Sequence, residues 1–190
     1  MRLAILAAGL SIALGAVEAR ADDITDQITE ALKAYQNHDL ATAAAALDAA
    51  ANLLRQSKAE NWKRMLPEPL PGWTAQDAES TSVATAILGG GTSVSRTYRN
   101  AGHSVEISFI ADSPIMAGVG SLLNSGLMTG GDAKLLIIDG RKVTFNKTDD
   151  SYVTVAGKVL VTVKGHGVDD ATLRSYWKAI KFAELEKGAS

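Results

Sequence analysis

Three histidines, the acidic pairs Asp149-Asp150 and Asp169-Asp170 and a glycine triplet are residues here whose types could do chemistry. His38, His103 and His166 could bind a metal or move a proton near neutral pH, where imidazole titrates. Their spacing offers no metal site: the chain has no His-x-His or His-x-x-x-His pair, and it contains no cysteine. Asp149-Asp150 falls in an expected turn and Asp169-Asp170 at an expected helix start, so turn chemistry and capping account for both. A calcium loop needs a longer run of spaced oxygen ligands. Gly89 to Gly91 reads as a turn, because neither a Gly-Lys-Ser/Thr nor a helix start follows it. Gly-x-Ser-x-Gly and His-Glu-x-x-His elements are also missing. The expectation is a chain with no catalytic, metal or cofactor-binding residue. A hydrolase whose polar groups converge only in the fold is the reading of last resort.

A different chemistry is suggested by Ser113 to Asp132, SPIMAGVGSLLNSGLMTGGD, which is apolar and rich in methionine and glycine. Asp112-Ser113-Pro114 reads as a helix start with a cap and a first-turn proline. Ile115, Leu122 and Leu127 lie among the apolar residues that spread over more than one helix face, and Gly118, Gly120 and Gly126 lower helix propensity. Burial between a sheet and the N-terminal helices accounts for such a stretch. The functional alternative makes Met116, Val119, Leu123 and Met128 an adaptable apolar surface for a partner or ligand, since thioethers are flexible and polarizable.

The elements that would position these residues follow an expected signal peptide. Residues 1–21 hold Arg2, an uncharged run from Leu3 to Val17, and Ala19-Arg20-Ala21 in the small-x-small pattern read by signal peptidase. The run is shorter than the ~20 apolar residues a bilayer span requires, so no stable membrane anchor is expected. Cleavage near Ala21 removes Arg2, Arg20 and Glu18, taking 19 basic and 21 acidic residues to 17 and 20, a formal charge of −3. That balance argues against nucleic acid as a partner. A periplasmic location is expected, with the fold held by its core, since no disulfide can form.

Residues 22–64 carry helical spacing. Ile24, Ile28, Leu32 and Tyr35 share one helix face, Asn37 to Asp39 interrupts, and Leu40, Ala43, Leu47, Ala50 and Leu54 resume the stripe. Asp39 is suited to cap the second helix. Residues 65–73, MLPEPLPGW, read as a stiff extended linker closed by Trp73. From 74 to 190 the period becomes two. Strands are expected over Val83–Leu88, Thr92–Arg99, Ser104–Ala111, Lys134–Ile138, Lys142–Phe145, Tyr152–Val155 and Val159–Lys164. Asp139-Gly140 marks a type I′ hairpin. A closing helix over Asp170–Lys187, capped by Asp169, sets Leu173, Tyr176, Trp177 and Ile180 on one side.

The stretch EALKAYQNHDLATAAAALDAAANLL, Glu30 to Leu54, resembles one tetratricopeptide-type helix pair, with Tyr35, Ala43 and Ala50 at the matching places. No second copy follows, so a plain helical hairpin docked on the rest of the chain is favoured over a repeat array. An antiparallel sheet with one inserted helix and a terminal covering helix makes the fold class α+β. Between about Trp73 and Leu185 the element order is similar to small secreted domains of the PsbP/Mog1 type, a resemblance that implies a non-catalytic binding or assembly module. Two functions follow as expectations. The first is an interaction module that docks onto another envelope protein, and the second is a carrier of a hydrophobic small molecule or lipid.

Overall fold

In the computed structural model the described residues are 15–81, 91–112 and 133–188. The chain divides into two compact units, Met1–Ser57 and Lys58–Ser190. The division lies inside a helix, upstream of the Met65–Trp73 stretch that the sequence suggests as a linker.

Helix α1 spans Gly15–Gln36 and α2 spans Leu40–Lys63. The turn between them places His38 at φ 62, and the Asp39 carboxylate accepts the Thr42 N–H at 3.1 Å, as the capping pattern predicts. The two helices bury alanine: Ala31 and Ala34 on α1, Ala43, Ala46 and Ala50 on α2. Small side chains let backbones approach closely, and here they form the seam. The large residues of the expected stripe share a face, but it is a different one.

The second unit is α+β. Its eight-stranded antiparallel sheet comprises β1 Thr74–Ala75, β2 Glu79–Thr81, β3 Thr92–Asn100, β4 His103–Ala111, β5 Ala133–Ile138, β6 Arg141–Asn146, β7 Ser151–Ala156 and β8 Val159–His166. The strand order is β1-β3-β4-β8-β7-β6-β5, with β2 also paired to β3. Tight turns set this register. Ala101-Gly102 and Asp139-Gly140 both take the positive φ of I′ turns, and Gly157 turns β7 into β8. The expected strand Val83–Leu88 and the expected inserted helix after Asp112 lie outside the described residues.

One sheet face is filled. Val94, Tyr98, Val105, Ile107, Phe109, Val143, Tyr152, Val161 and Val163 point into a core completed by Trp62 of α2 and by helix α3, Asp170–Ala179. Leu173, Tyr176 and Trp177 are buried as the spacing predicts, and the Asp169 cap accepts the Thr172 N–H at 2.8 Å. α3 crosses β8 so closely that a Cβ on Gly165 would collide with Val168 Cγ2 and come within 3.0 Å of Leu173. The single closing helix over Asp170–Lys187 is corrected. Ile180 leaves α3 in extended geometry (φ −74, ψ 129), and a second helix, α4, spans Phe182–Lys187. The break lets Ile180 and Leu185 bury and sets the Phe182 ring 4.9 Å from that of Trp177, contacts an unbroken helix would not give together.

The Pro-rich stretch is fastened to this core. Tyr98 donates its phenol O–H to the Pro67 carbonyl at 2.7 Å, and Trp73 meets Tyr176 edge to face at 5.5 Å.

Candidate functional site

The expected chemistry-bearing residues are resolved into separate structural roles. His38, His103 and His166 are exposed. His103 and His166 come to the same end of the sheet, where Ser104 pairs with His166 and the His103 Nδ1 faces the Gly167 turn. No group of three or more metal-ligating side chains occurs among the described residues. Asp149 accepts the Ser151 hydroxyl at 3.1 Å, and the Asp150 carbonyl accepts the Gly165 N–H at 2.9 Å, so this pair shapes its turn. Ser175, three residues before Lys178 on α3, gives its hydroxyl to the Ala171 carbonyl at 2.8 Å.

Tyr152, Asp170 and Arg174 form a connected polar cluster. The Tyr152 phenol donates to Asp170, whose other oxygen accepts Arg174 Nε at 2.6 Å. Burial, and then the bond to Asp170, push the Tyr152 phenol well above its usual range. The same phenol, and then Arg174, hold the Asp170 carboxyl below the usual carboxylate range. Both shifts lead away from neutrality, the reverse of the tuning that general acid–base work requires. The cluster clamps the α3 N-terminus to the sheet.

An apolar surface does arise, on the helical hairpin. Ile28, Leu32 and Tyr35 of α1 and Leu40, Leu47 and Leu54 of α2 are 49% to 65% exposed. At 3.6 residues per turn, each stripe is rotated by about 80° from the alanine seam of its own helix, in the same rotational sense. Because the helices run antiparallel, equal rotations bring both stripes to one side of the hairpin. Asp23, Asp26, Ala49 and Asn52, whose angles fall on the opposite side, line one shallow depression there, as this geometry requires. The apolar side carries no charged residue between Ile28 and Leu54, and clustered exposed apolar side chains of this kind mark interaction sites.

Sequence reasoning found these residues by their periodicity and assigned them no site. Alanines were expected to permit close approach of the two helices, with Ala43 and Ala50 in the same stripe as the leucines; the signal not drawn was that Ala31, Ala34, Ala43, Ala46 and Ala50 form a stripe of their own, which already supplies the hairpin with a contact face. The surface expected from Met116, Val119, Leu123 and Met128 lies outside the described residues. On the sheet, a depression of about 260 Å³ between Leu135, Thr144, Val153 and Val155 is smaller than a typical small-molecule pocket. None of the described helices is long and apolar enough to cross a membrane. No family model, no curated protein and no solved structure matches the chain.

Proposed function

We propose that this chain is a non-enzymatic interaction module of the periplasm, exported after cleavage near Ala21, which docks onto another envelope protein through the apolar side of its helical hairpin. The observation that carries this reading is the exposure of Ile28, Leu32, Tyr35, Leu40, Leu47 and Leu54 on one uncharged side. Leu40, Leu47 and Leu54 repeat every seven residues, the spacing at which one helix receives the side chains of another. The matching partner is therefore an apolar helix. An anionic lipid surface suits the hairpin poorly, since Asp22, Asp23, Asp26, Glu30, Asp39, Asp48 and Glu60 outnumber Lys33, Arg55, Lys58, Lys63 and Arg64.

The test is purification of the chain from its native periplasm at natural abundance, followed by native mass spectrometry, for the wild type and for Leu47→Glu with Leu54→Glu. One stoichiometric polypeptide bound to the wild type and lost from the double variant is the expected result. A small-molecule adduct retained by both, with no polypeptide, overturns the reading in favour of a carrier.

A further inference from the structure

The two edges of the sheet differ. At one, the outer side of β3 is taken up by two short strands: Thr74 and Ala75 of β1 face Arg99 and Tyr98, and Glu79 to Thr81 of β2 face Ser95 to Ser93. The Gln76 N–H between them donates to the Thr97 carbonyl at 2.9 Å. Short edge strands of this kind leave little template for another chain. At the other edge β5 presents six residues, Ala133–Ile138, and no described strand pairs with its outer side.

The register of β5 fixes which of its groups point outward. Asp139 and Gly140 make a two-residue turn, so the pair that closes it, Ile138 and Arg141, exchanges both backbone bonds. Alternation along the ladder then sends the N–H and C=O of Ile138, Leu136 and Lys134 toward β6, and those of Ile137 and Leu135 away from the sheet. Ile137 and Leu135 are also 64% and 46% exposed, whereas Ile138 is buried and Leu136 packs against the core on the opposite face. Outward backbone groups and exposed hydrocarbon thus coincide at the same two positions.

We propose that this edge is the docking site for a second copy of the chain, joined β5 to β5 about a two-fold axis through Leu136. An antiparallel neighbour must match outward bonds with outward bonds and set opposed side chains on one face, so only odd-numbered residues can oppose odd-numbered ones. The register centred on Leu136 sets Leu135 of each copy against Ile137 of the other. Both outward pairs then bond, and the four apolar side chains form one cluster. Lys134 and Asp139 are exposed, and this register brings Lys134 of each copy beside Asp139 of the other, an opposite-charge match made twice. A shift by one pair either sets Leu135 against Asp139 or leaves Ile137 facing Ala133. An isologous contact uses up β5 of both copies, and β1 and β2 occupy the other edge, so association stops at two. One strand edge is smaller than the ~1,200 Å² of a standard interface, so the dimer is reversible rather than obligate. The inference uses none of the hairpin residues and stands independently of the hairpin's docking role.

The chain contains no cysteine, so single cysteines can read the register. About the two-fold axis the Leu136 Cα atoms oppose each other at about 4.5 Å, within disulfide range. The Lys134 Cα atoms are four positions out of register, about 14 Å apart. The background for both is the full exported chain carrying Leu47→Glu and Leu54→Glu, which removes association through the hairpin. Under mild oxidation Leu136→Cys is expected to give a covalent dimer and Lys134→Cys is not. In the same background without cysteine, sedimentation equilibrium is expected to show a reversible monomer–dimer equilibrium, weakened about tenfold or more by Ile137→Lys, which places a charge from each copy in the apolar cluster. A monomer at every concentration, a dimer indifferent to Ile137→Lys, equal disulfide yields from positions 134 and 136, or growth beyond two copies would each overturn the proposal. If Leu136→Cys does not fold, the sedimentation comparison still decides.

Discussion

The Tyr98 phenol and the Pro67 carbonyl, 2.7 Å apart, join strand β3, next to the edge of the sheet, to a stretch 31 residues earlier in the chain. Burial pushes that phenol well above its usual range, so the O–H remains a donor through and beyond neutral pH. Tyr98→Phe is expected to lower stability by about 1–2 kcal/mol. Urea denaturation checks this as a lower midpoint with an unchanged slope.

Tyr98 and Tyr152 also make stability depend on alkaline pH. Their folded values lie above the ordinary value near 10, so each contributes stability that is full below pH 10 and lost as pH rises through the folded value. Phenolate absorbance for these two rings is expected to appear together with unfolding, followed by circular dichroism in the same titration.

At the acid end the sign reverses. Asp170 has a depressed folded value, so its contribution is present above its unfolded value near 4 and is lost as pH falls through the folded one. Asp170→Asn is expected to flatten the fall in thermal midpoint below pH 4 and to lower the midpoint at pH 7.

Gly165 is required by close approach. Gly165→Ala is expected to cost about 1–3 kcal/mol through overpacking against Val168 and Leu173. Adding Val168→Ala, which removes the colliding methyl, is expected to restore part of that loss in a double-mutant cycle.

The hairpin separates packing from exposure within two adjacent residues. Ala46 is buried in the seam and Leu47 is exposed. Ala46→Leu is expected to destabilise by about 1–3 kcal/mol, whereas Leu47→Glu should stay within about 0.5 kcal/mol. Thermal melts of the two variants check the contrast.

Strand pairing could be read in the sequence because alternation and tight turns act locally: Asp139-Gly140 fixes the β5–β6 register wherever the rest of the chain lies. The Asp39 and Asp169 caps were legible for the same reason. The hairpin surface was not, because periodicity weighs large residues, while the seam is set by the close approach that alanine permits. The break at Ile180 was hidden too, since Phe182 and Leu185 keep a helix-like spacing and only the position of Trp177 makes the interruption favourable. Likewise, nothing near Pro67 announces Tyr98, its partner across 31 residues.

The docking role of the hairpin is tested most directly by photo-crosslinking in living cells, with benzoylphenylalanine at Leu47 on the apolar side and, separately, at Ala45 or Asn52 around the helix from it. The expected result is one cross-linked envelope polypeptide from position 47 and none from 45 or 52. Cross-links only to a second copy of this chain, equal products from all three positions, or no product from position 47 would contradict it.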